Sequence, residues 1–291
     1  MRAAAVQLNS TEDKDRNLAK ADRFTRAAAA DGAELVVLPE KFNVLGTHEH
    51  YREGAETLDG PTVRWARETA RDLGIDLVAG SIVERREGRE KLSNTSVHVG
   101  PDGEIRAVYR KIHMFDVVVS GQTYRESESE EPGEDVVLSE TAAGLPLGLT
   151  VCYDLRFPEL FRILAVKGAR MVAVPSAFTK VTGQAHWEIL VRARAVENQA
   201  FVVAADQIGR HPPDKESFGG SMIVDPWGVV LARAPGEECV VAAELDLARQ
   251  DEVREQLPSL ANRMPAAYRW PQEADRMAVA AGSLDTEAER P

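Results

Sequence analysis

The chain opens with short apolar runs that alternate with an amphipathic stretch. Residues 3–8 form an apolar run of the length of a β-strand, and residues 17–30 place their apolar side chains on one face of a helix. Residues 34–38 form a second apolar run, which Pro39 ends because proline cannot continue a strand's hydrogen-bond ladder. The pattern predicts a β-α-β unit at the start of the chain.

The same alternation continues as far as residue 245. Further strands are predicted over 76–81, 93–99, 104–109, 146–151, 170–174, 201–205, 221–224, 229–232 and 240–245, and further helices over 62–73, 158–167 and 185–198. The two halves of this list resemble one layered plan used twice. Such alternation predicts sheets with helices packed outside them and catalytic groups at the ends of strands.

Two segments lie outside this plan. Residues 115–133 hold several glutamates and predict a long loop, which is either functional or merely solvated. Residues 271–291 are small, polar and acidic, so we expect a flexible tail or an arm that packs on a partner subunit. The remainder, 1–270, is expected to form a single domain.

Charge and composition exclude several classes of protein. The 291 residues hold 35 Lys and Arg against 47 Asp and Glu, a net charge of −12, without the clustered positive field that nucleic acids or anionic membranes require. No apolar stretch approaches the ~20 residues of a membrane-spanning helix, and the first run is too short for a signal peptide. We expect an acidic cytoplasmic protein that binds neither nucleic acid nor membrane.

The two cysteines, Cys152 and Cys239, are too few for a disulfide framework and form no Cys-x-x-Cys pair. Cys152 ends an apolar run and precedes a polar turn that leads into a predicted helix. A thiol in this position is fixed by the sheet, and the N–H groups of the turn point at negative charge that develops beside it. Cys152 is therefore a candidate nucleophile; the alternative is a buried cysteine that acts as a small hydrophobe.

Two further groups emerge at predicted strand ends. Glu40 follows Pro39 at the carboxyl edge of its strand, where a partly desolvated carboxylate is suited to act as a base. Lys111 follows the strand that ends at Tyr109, and a fixed ammonium stabilises a thiolate or an oxyanion. The alternatives are that Glu40 caps a loop or faces solvent and that Lys111 is one of a solvated basic pair with Arg110.

A cysteine nucleophile normally needs a base, and histidine is the usual one. Of the six histidines, His48 and His50 are interpreted as surface residues of a loop that provide too few ligands for a metal site. His98 and His186 occupy ordinary packing positions. Only His113 lies near the other candidates in the sequence.

The three candidates occur in motifs whose order and spacing resemble the Glu-Lys-Cys triad of the nitrilase superfamily of carbon–nitrogen hydrolases. Glu40 follows Leu-Pro, Lys111 stands in Tyr-Arg-Lys-x-His, and Cys152 stands in Val-Cys-Tyr-Asp-x-Arg-Phe-Pro-Glu. The likeness extends through the segments 175–178, 183–188, 192–198 and 224–228 and covers roughly residues 2–270.

The resemblance implies an α/β fold, a four-layer α-β-β-α sandwich that dimerises into an eight-layer assembly. It also implies a fourth catalytic member, a glutamate in the loop between lysine and cysteine, for which Glu126 is the best match among several neighbouring glutamates. Within the superfamily the chain is most similar to the Nit branch, which includes the deaminated glutathione amidase and the omega-amidase. The implied partner is a small amide, and the implied assembly is a homodimer or a higher homo-oligomer.

The implied reaction is hydrolysis of the amide bond of a small carboxylate-bearing amide through a cysteine thioester, with release of ammonia. It requires no cofactor and no metal. Tyr153 is expected to stabilise the oxyanion through its backbone N–H, and Arg156 either pairs with a substrate carboxylate or forms a structural salt bridge. Phe178 and Thr179 are further pocket candidates. The alternatives are another superfamily activity, namely a nitrilase or an N-carbamoyl amidase, and a non-catalytic scaffold that binds metabolites.

Overall fold

Two β-sheets lie face to face in the computed structural model of the protein, which describes residues 1–268. Its strands are β1 (Arg2–Gln7), β2 (Leu35–Val37), β3 (Asp76–Val78), β4 (Ile82–Glu84), β5 (Ser93–Val99), β6 (Ile105–Arg110), β7 (Asp116–Val119), β8 (Gln122–Arg125), β9 (Leu138–Glu140), β10 (Pro146–Leu149), β11 (Met171–Ser176), β12 (Phe201–Asp206), β13 (Ile208–His211), β14 (Lys215–Phe218), β15 (Met222–Val224), β16 (Val230–Arg233) and β17 (Cys239–Glu244). Its helices are α1 (Lys14–Ala30), α2 (His48–Gly54), α3 (Pro61–Leu73), α4 (Pro158–Val166), α5 (Lys180–Asn198) and α6 (Leu247–Gln256).

Each sheet has a parallel centre and antiparallel edges. The first has the order β17-β1-β2-β3-β5-β4, with β6 paired to β5, and the second has the order β16-β15-β12-β11-β10-β9. β1, β2 and β3 run parallel to one another, as do β10, β11 and β12. The hairpins β7–β8 and β13–β14 are separate two-stranded sheets. One plan is thus used twice, as the alternation along the sequence predicts.

The central strands are mainly apolar because both faces of each sheet are covered. In β1, Ala3 and Ala5 pack into the layer between the sheets, whereas Ala4 and Val6 pack against α1 and α3. On the far side, α4 and α5 cover the second sheet with residues such as Trp187. Strands buried on both faces read as continuous apolar runs rather than as alternating ones. The α-β-β-α order that the resemblance implies is confirmed.

The ends of the outer helices follow local rules. Asp13 accepts a hydrogen bond from the Arg16 N–H and so caps the first turn of α1. Helix α3 begins with Pro61 and ends at Gly74, whose φ of 65° is left-handed and suits a residue without a Cβ.

The predicted loop over residues 115–133 is wrong in part, because its first half is the hairpin β7–β8 followed by a 3₁₀ turn over Glu126–Glu128. The loop interpretation of His48 and His50 is also wrong, since both lie on α2. Sequence patterns missed β4, the β13–β14 hairpin and α6 as well. The predicted tail, 271–291, lies outside the described residues.

The carboxyl ends of four strands, β2, β6, β10 and β11, lie at one edge of the sandwich. Glu40 follows β2, Lys111 follows β6, Cys152 follows β10, and Ala177 follows β11. Groups from both sheets are thereby delivered to a common crevice, as expected for open α/β sheets. Within residues 1–268, no helix combines the length and apolar character needed to cross a bilayer.

Candidate active site

Cys152 is mounted on a strained turn. It is the first residue of a 3₁₀ turn, Cys152–Arg156, and its φ of 49° lies in the left-handed region, which a non-glycine residue seldom adopts. Asp154 closes the turn by accepting a hydrogen bond from the Val151 N–H at 2.8 Å. Backbone strain of this kind persists only where the surroundings impose it, and such positions cluster at functional sites.

Glu40 is held by donors from both sheets. Its Oε2 accepts a hydrogen bond from the Ala177 N–H at 2.9 Å, and its Oε1 accepts one from Asn94 Nδ2 at 2.8 Å. The Lys111 ammonium lies 3.1 Å from the same Oε1. Glu40 is 4% exposed, so its carboxylate is fixed in orientation and shielded from bulk water.

Lys111 is a buried cation between two carboxylates. Its Nζ donates to Glu126 Oε2 at 2.7 Å and to Glu40 Oε1 at 3.1 Å. Burial lowers the pKa of this ammonium, but Glu126 and Glu40 raise it by more, and the net pKa lies well above its ordinary value. Lys111 therefore stays charged at neutral pH.

Of the glutamates at positions 126, 128, 130 and 131, Glu126 is the one that contacts Lys111. Its Oε2 also accepts a hydrogen bond from the Phe115 N–H at 2.8 Å, and its Oε1 accepts one from Asn94 Nδ2 at 3.2 Å. Burial raises the pKa of Glu126, but Lys111 and Lys41 lower it by more, so the carboxyl is ionised. By contrast, Glu130 pairs with Lys41, and Glu131 pairs with Arg86.

Cys152 carries its proton before a substrate arrives. Burial raises the pKa of the thiol, and the Glu40 carboxylate raises it further, whereas Lys111 lowers it; the net pKa is well above the ordinary value. A thiol of this kind becomes nucleophilic when a neighbouring base removes its proton as it attacks. Glu40 is the carboxylate placed to do so.

A pocket of about 290 Å³ connects these groups with the surface. All of the predicted site residues line it: Glu40, Lys111, Glu126, Cys152, Tyr153, Arg156, Phe178 and Thr179. The β7–β8 and β13–β14 hairpins supply further lining residues, namely Thr123, Tyr124, Arg125, His211, Pro213, Lys215, Glu216 and Ser217. Its mouth is thus built from one hairpin of each half of the chain.

Arg156 has no ion pair within the described chain, so the structural salt bridge considered for it is absent there. Its guanidinium carbon lies 5.0 Å from the centroid of the Phe178 ring, and its Nη1 lies 3.3 Å from His186 Nδ1. An arginine in a pocket without a carboxylate partner has the donors that do not contact His186 available for an anionic ligand.

No histidine of residues 1–268 hydrogen-bonds to the Cys152 thiol. His113 is not part of the pocket lining; its ring lies flat on Phe157 at 3.5 Å, and its Nδ1 is 2.7 Å from Asp154 Oδ1. His48 and His211 do line the pocket, which corrects the surface interpretation of His48. His48 Nδ1 lies 2.8 Å from Ser129 Oγ.

Sequence reasoning missed Asn94, Lys41, Glu130 and Lys215. Asn94 bridges Glu40 and Glu126, and its only signal is an amide side chain in the buried strand β5. The other three line the pocket and are indistinguishable in sequence from solvated charges. Among residues 1–268, no cluster of three or more His, Cys, Asp and Glu side chains is arranged to hold a metal ion.

The chain is similar to known proteins over most of its length. The model of the carbon-nitrogen hydrolase family matches residues 2–255. Omega-amidase NIT2 of Danio rerio is 41% identical over 268 residues, which cover 92% of this chain and 96% of that protein. A deaminated glutathione amidase of Yersinia enterocolitica is 40% identical over 261 residues, which cover 88% of this chain and 91% of that protein.

A solved structure has the same fold. Nit3 of Saccharomyces cerevisiae, a member of branch 10 of the nitrilase superfamily, matches with a TM-score of 0.81 at 35% identity. The match covers 89% of this chain and 94% of the Nit3 chain.

Proposed function

Because the chain belongs to the carbon–nitrogen hydrolase family and is an amidase of that family, we propose that Cys152, Glu40 and Lys111 cleave the amide bond of a small carboxylate-bearing amide. One observation carries this proposal: Lys111 Nζ lies 3.1 Å from Glu40 Oε1 in the pocket that also holds the Cys152 thiol. Glu126 holds the ammonium from its other side at 2.7 Å. A nucleophile, a base and a cation are thereby united in one crevice.

In the first half of the cycle, Glu40 accepts the thiol proton while the sulfur of Cys152 attacks the amide carbonyl carbon. The oxyanion that forms is stabilised by the Lys111 ammonium and by the Tyr153 backbone N–H. The C–N bond then breaks, and Glu40 returns the proton to the departing nitrogen, so that ammonia leaves and a thioester remains on Cys152.

In the second half, a water molecule attacks the thioester. Glu40 accepts a proton from this water, Lys111 again stabilises the oxyanion, and the proton passes to the sulfur as the C–S bond breaks. The carboxylic acid product leaves, and the free thiol is regenerated. Glu126 keeps Lys111 in place through both halves. The cycle uses neither a metal nor an organic cofactor.

The substrate we propose carries a carboxylate at a distance from its amide. Arg156 lines the pocket without a carboxylate partner in the described chain and is suited to bind this group, with Phe178 and Thr179 beside it. The relatives named omega-amidase and deaminated glutathione amidase support the same class. We therefore propose alpha-ketoglutaramate or deaminated glutathione as the substrate.

The test is a panel assay of ammonia release by the purified protein. The panel holds alpha-ketoglutaramate, deaminated glutathione, an uncharged amide of similar length, an N-carbamoyl compound and a nitrile. We expect one of the first two to give the highest kcat/KM. Preference for the nitrile or the N-carbamoyl compound would contradict this substrate class and favour a nitrilase or an N-carbamoyl amidase. The absence of turnover with every compound would favour a scaffold that binds metabolites.

We also propose that the protein acts as a homodimer in the cytoplasm. Large apolar side chains are exposed on the outer faces of α4 and α5 and on the nearby β15–β16 turn, namely Ile163, Val166, Ile189, Val196 and Trp227. A surface of this kind is typical of an interface between subunits, and both cysteines are free thiols, which suits a reducing compartment. Sedimentation of a single species at the monomer mass would contradict the dimer.

A further inference from the structure

Lys41 follows the proposed base directly, and both side chains enter the same pocket. In an extended strand, neighbouring side chains point to opposite faces. At Lys41 the backbone turns instead, with a left-handed φ of 50°, and its N–H donates to Ser81 Oγ at 3.0 Å. Lys41 is 5% exposed and lines the pocket together with Glu40. The chain therefore accepts a strained conformation that buries a second lysine beside its proposed catalytic groups.

The Lys41 ammonium joins the network that surrounds Lys111. Its Nζ donates to Glu130 Oε1 at 2.6 Å and lies 3.4 Å from Glu126 Oε1, above the ring of Tyr51 at 4.3 Å. Glu126 thus contacts two ammonium groups, since Lys111 Nζ lies 3.0 Å from its Oε1 and 2.7 Å from its Oε2. A carboxylate that contacts two cations is more restricted in position than one that contacts a single cation.

The carboxyl group of Glu130 holds the Lys41 ammonium in place. It is 1% exposed, and its N–H donates to the Glu126 carbonyl at 3.0 Å, so one tight turn carries both glutamates. Its Oε1 binds Lys41, whereas its Oε2 is buried without a hydrogen-bond partner in the described chain. A half-satisfied buried carboxylate is costly and persists where its partner is needed.

The net charge of the catalytic groups explains why a cation is useful at Lys41. Glu40, Glu126 and Lys111 together carry one excess negative charge next to a thiol that must lose its proton. A cation at Lys41 offsets the Glu126 carboxylate, so that the Lys111 ammonium remains available to the developing thiolate and oxyanion.

We propose that Lys41 is a positioning residue of the amidase reaction: it fixes Glu126 against Lys111, and Glu130 holds it in place. The inference rests on the proposed function, because it assigns Lys41 to the catalytic roles given above to Glu126 and Lys111. The simpler alternative is a buried ion pair that stabilises the fold and has no effect on catalysis.

Kinetics of four variants separate the two. Lys41→Met, Glu130→Gln, the double variant Lys41→Met/Glu130→Gln and the control Lys20→Met are compared with the wild type by ammonia release. Lys20 is a suitable control because it also forms a partly buried ion pair, with Glu238 at 2.7 Å, and does not line the pocket. We expect Lys41→Met to lower kcat by about 10-fold or more with KM changed by less than about 3-fold.

The double variant is decisive. Lys41→Met leaves the Glu130 carboxylate buried without its partner, and the second substitution removes that carboxylate. We therefore expect the melting temperature of the double variant to recover towards the wild-type value while its kcat stays about 10-fold low. Recovery of kcat to within about 2-fold of wild type would reduce the pair to a structural role and overturn the proposal. Failure of both Lys41 variants to fold would overturn it as well.

The pH profile gives a second readout. Glu130 faces Lys41, Tyr51, Lys111, Glu126 and Lys215; burial raises its pKa to about 7, although Lys41 lowers it. The neutral carboxyl still accepts the hydrogen bond from Lys41, whereas its ionisation cancels the positive charge that offsets Glu126, so we expect wild-type kcat to fall as pH rises through this value and Glu130→Gln to lack this step. Identical profiles for the two proteins would contradict the coupling of Glu130 to catalysis.

Alkylation of Cys152 by iodoacetamide separates this proposal from the proposed function, because it needs no amide turnover. In a Cys239→Ala background, followed by mass spectrometry, we expect Lys41→Met to slow the alkylation of Cys152 by about 3-fold or more. If the wild type hydrolyses no amide, the proposed function fails and the alkylation rates alone decide. An unchanged rate in Lys41→Met would then overturn the role of Lys41.

Discussion

Asp154 accepts a hydrogen bond from the Tyr109 hydroxyl at 2.7 Å in the interior of the sandwich. Asp154 belongs to the turn that carries Cys152, and Tyr109 lies on β6, two residues before Lys111. The same carboxylate accepts a hydrogen bond from the His113 N–H at 3.2 Å. Asp154 thereby connects the mount of the nucleophile in one sheet with the mount of the ammonium in the other.

The first prediction concerns this connection. Tyr109→Phe removes one donor from a buried carboxylate, and we expect the free energy of unfolding to fall by about 1–3 kcal/mol. Because a small displacement of either mount misplaces reacting groups, kcat should fall by about 10-fold or more. Urea unfolding and ammonia release measure the two effects. Tyr268→Phe, at a side chain that is 70% exposed, is the control; an unchanged kcat in Tyr109→Phe would show that the connection is purely structural.

The second prediction concerns the nucleophile. Cys152→Ala is expected to abolish turnover while the circular dichroism spectrum and the melting curve persist, because the substitution removes the nucleophilic sulfur and keeps the Cβ in the core. Residues that act as a unit are non-additive, so Glu40→Gln and Lys111→Met should each lower kcat by at least about 10³-fold. Cys239→Ala is the matched control and should retain wild-type kcat. Residual turnover in Cys152→Ala near the wild-type rate would refute the thioester cycle.

The third prediction concerns recognition of the carboxylate. A charge-assisted hydrogen bond is worth about 1.5–3 kcal/mol, so Arg156→Met should raise KM for the carboxylate-bearing amide by about 10- to 100-fold. An uncharged amide of similar length should keep its KM. Arg192→Met is the control, because the Arg192 side chain lies on the exposed face of α5. Equal losses for the charged and the uncharged amide would mean that Arg156 does not bind the carboxylate.

The fourth prediction concerns the stability of the fold against pH. The pKa of Glu130 is raised from 4.5 to about 7, chiefly by burial, so ionisation of this group opposes folding. The penalty is absent at pH values below the unfolded pKa, grows as pH rises between the two pKa values and is full above the folded one. Glu130→Gln should therefore be more stable than the wild type at pH 8 by about 1–3 kcal/mol and lose this advantage at pH 5.

Urea unfolding at the two pH values tests this prediction. Glu128→Gln is the control, because Glu128 lies two residues before Glu130, at the end of the 3₁₀ turn, but is exposed to solvent. It should show no pH-dependent difference from the wild type. A constant difference between Glu130→Gln and the wild type at both pH values would contradict the assigned pKa.

Much of the fold is predictable from the sequence because the central strands are buried on both faces. Apart from the exposed Glu34, the predicted strands 34–38 and 201–205 contain only buried apolar residues, and they match β2 and β12 closely. The short helix α2 is hidden because its capping box pairs Thr47 with His50 instead of the usual Glu or Gln. The β7–β8 hairpin is hidden because its residues face the pocket mouth and solvent, where apolar periodicity is weak.

The site is predictable only where chemistry coincides with a strand end. Glu40, Lys111 and Cys152 all follow predicted strands, and a shared motif connects them. Lys41 and Glu130 are separated by 89 positions along the chain and meet only because the sheet and the 3₁₀ turn bring them together. No local pattern records such a contact. Asn94 escapes prediction for the same reason, as its partners are distant in sequence.

Glu40 follows a strand of one sheet, and Cys152 follows a strand of the other. The span between base and nucleophile therefore depends on the thickness of the apolar layer between the sheets, in which the small side chains of Ala3 and Ala5 are buried. An added methyl group in that layer would displace the two sheets relative to each other, because close-packed interiors transmit displacement. The turnover rate should therefore respond to sub-ångström changes in the spacing of the two sheets that are too small to alter the melting temperature.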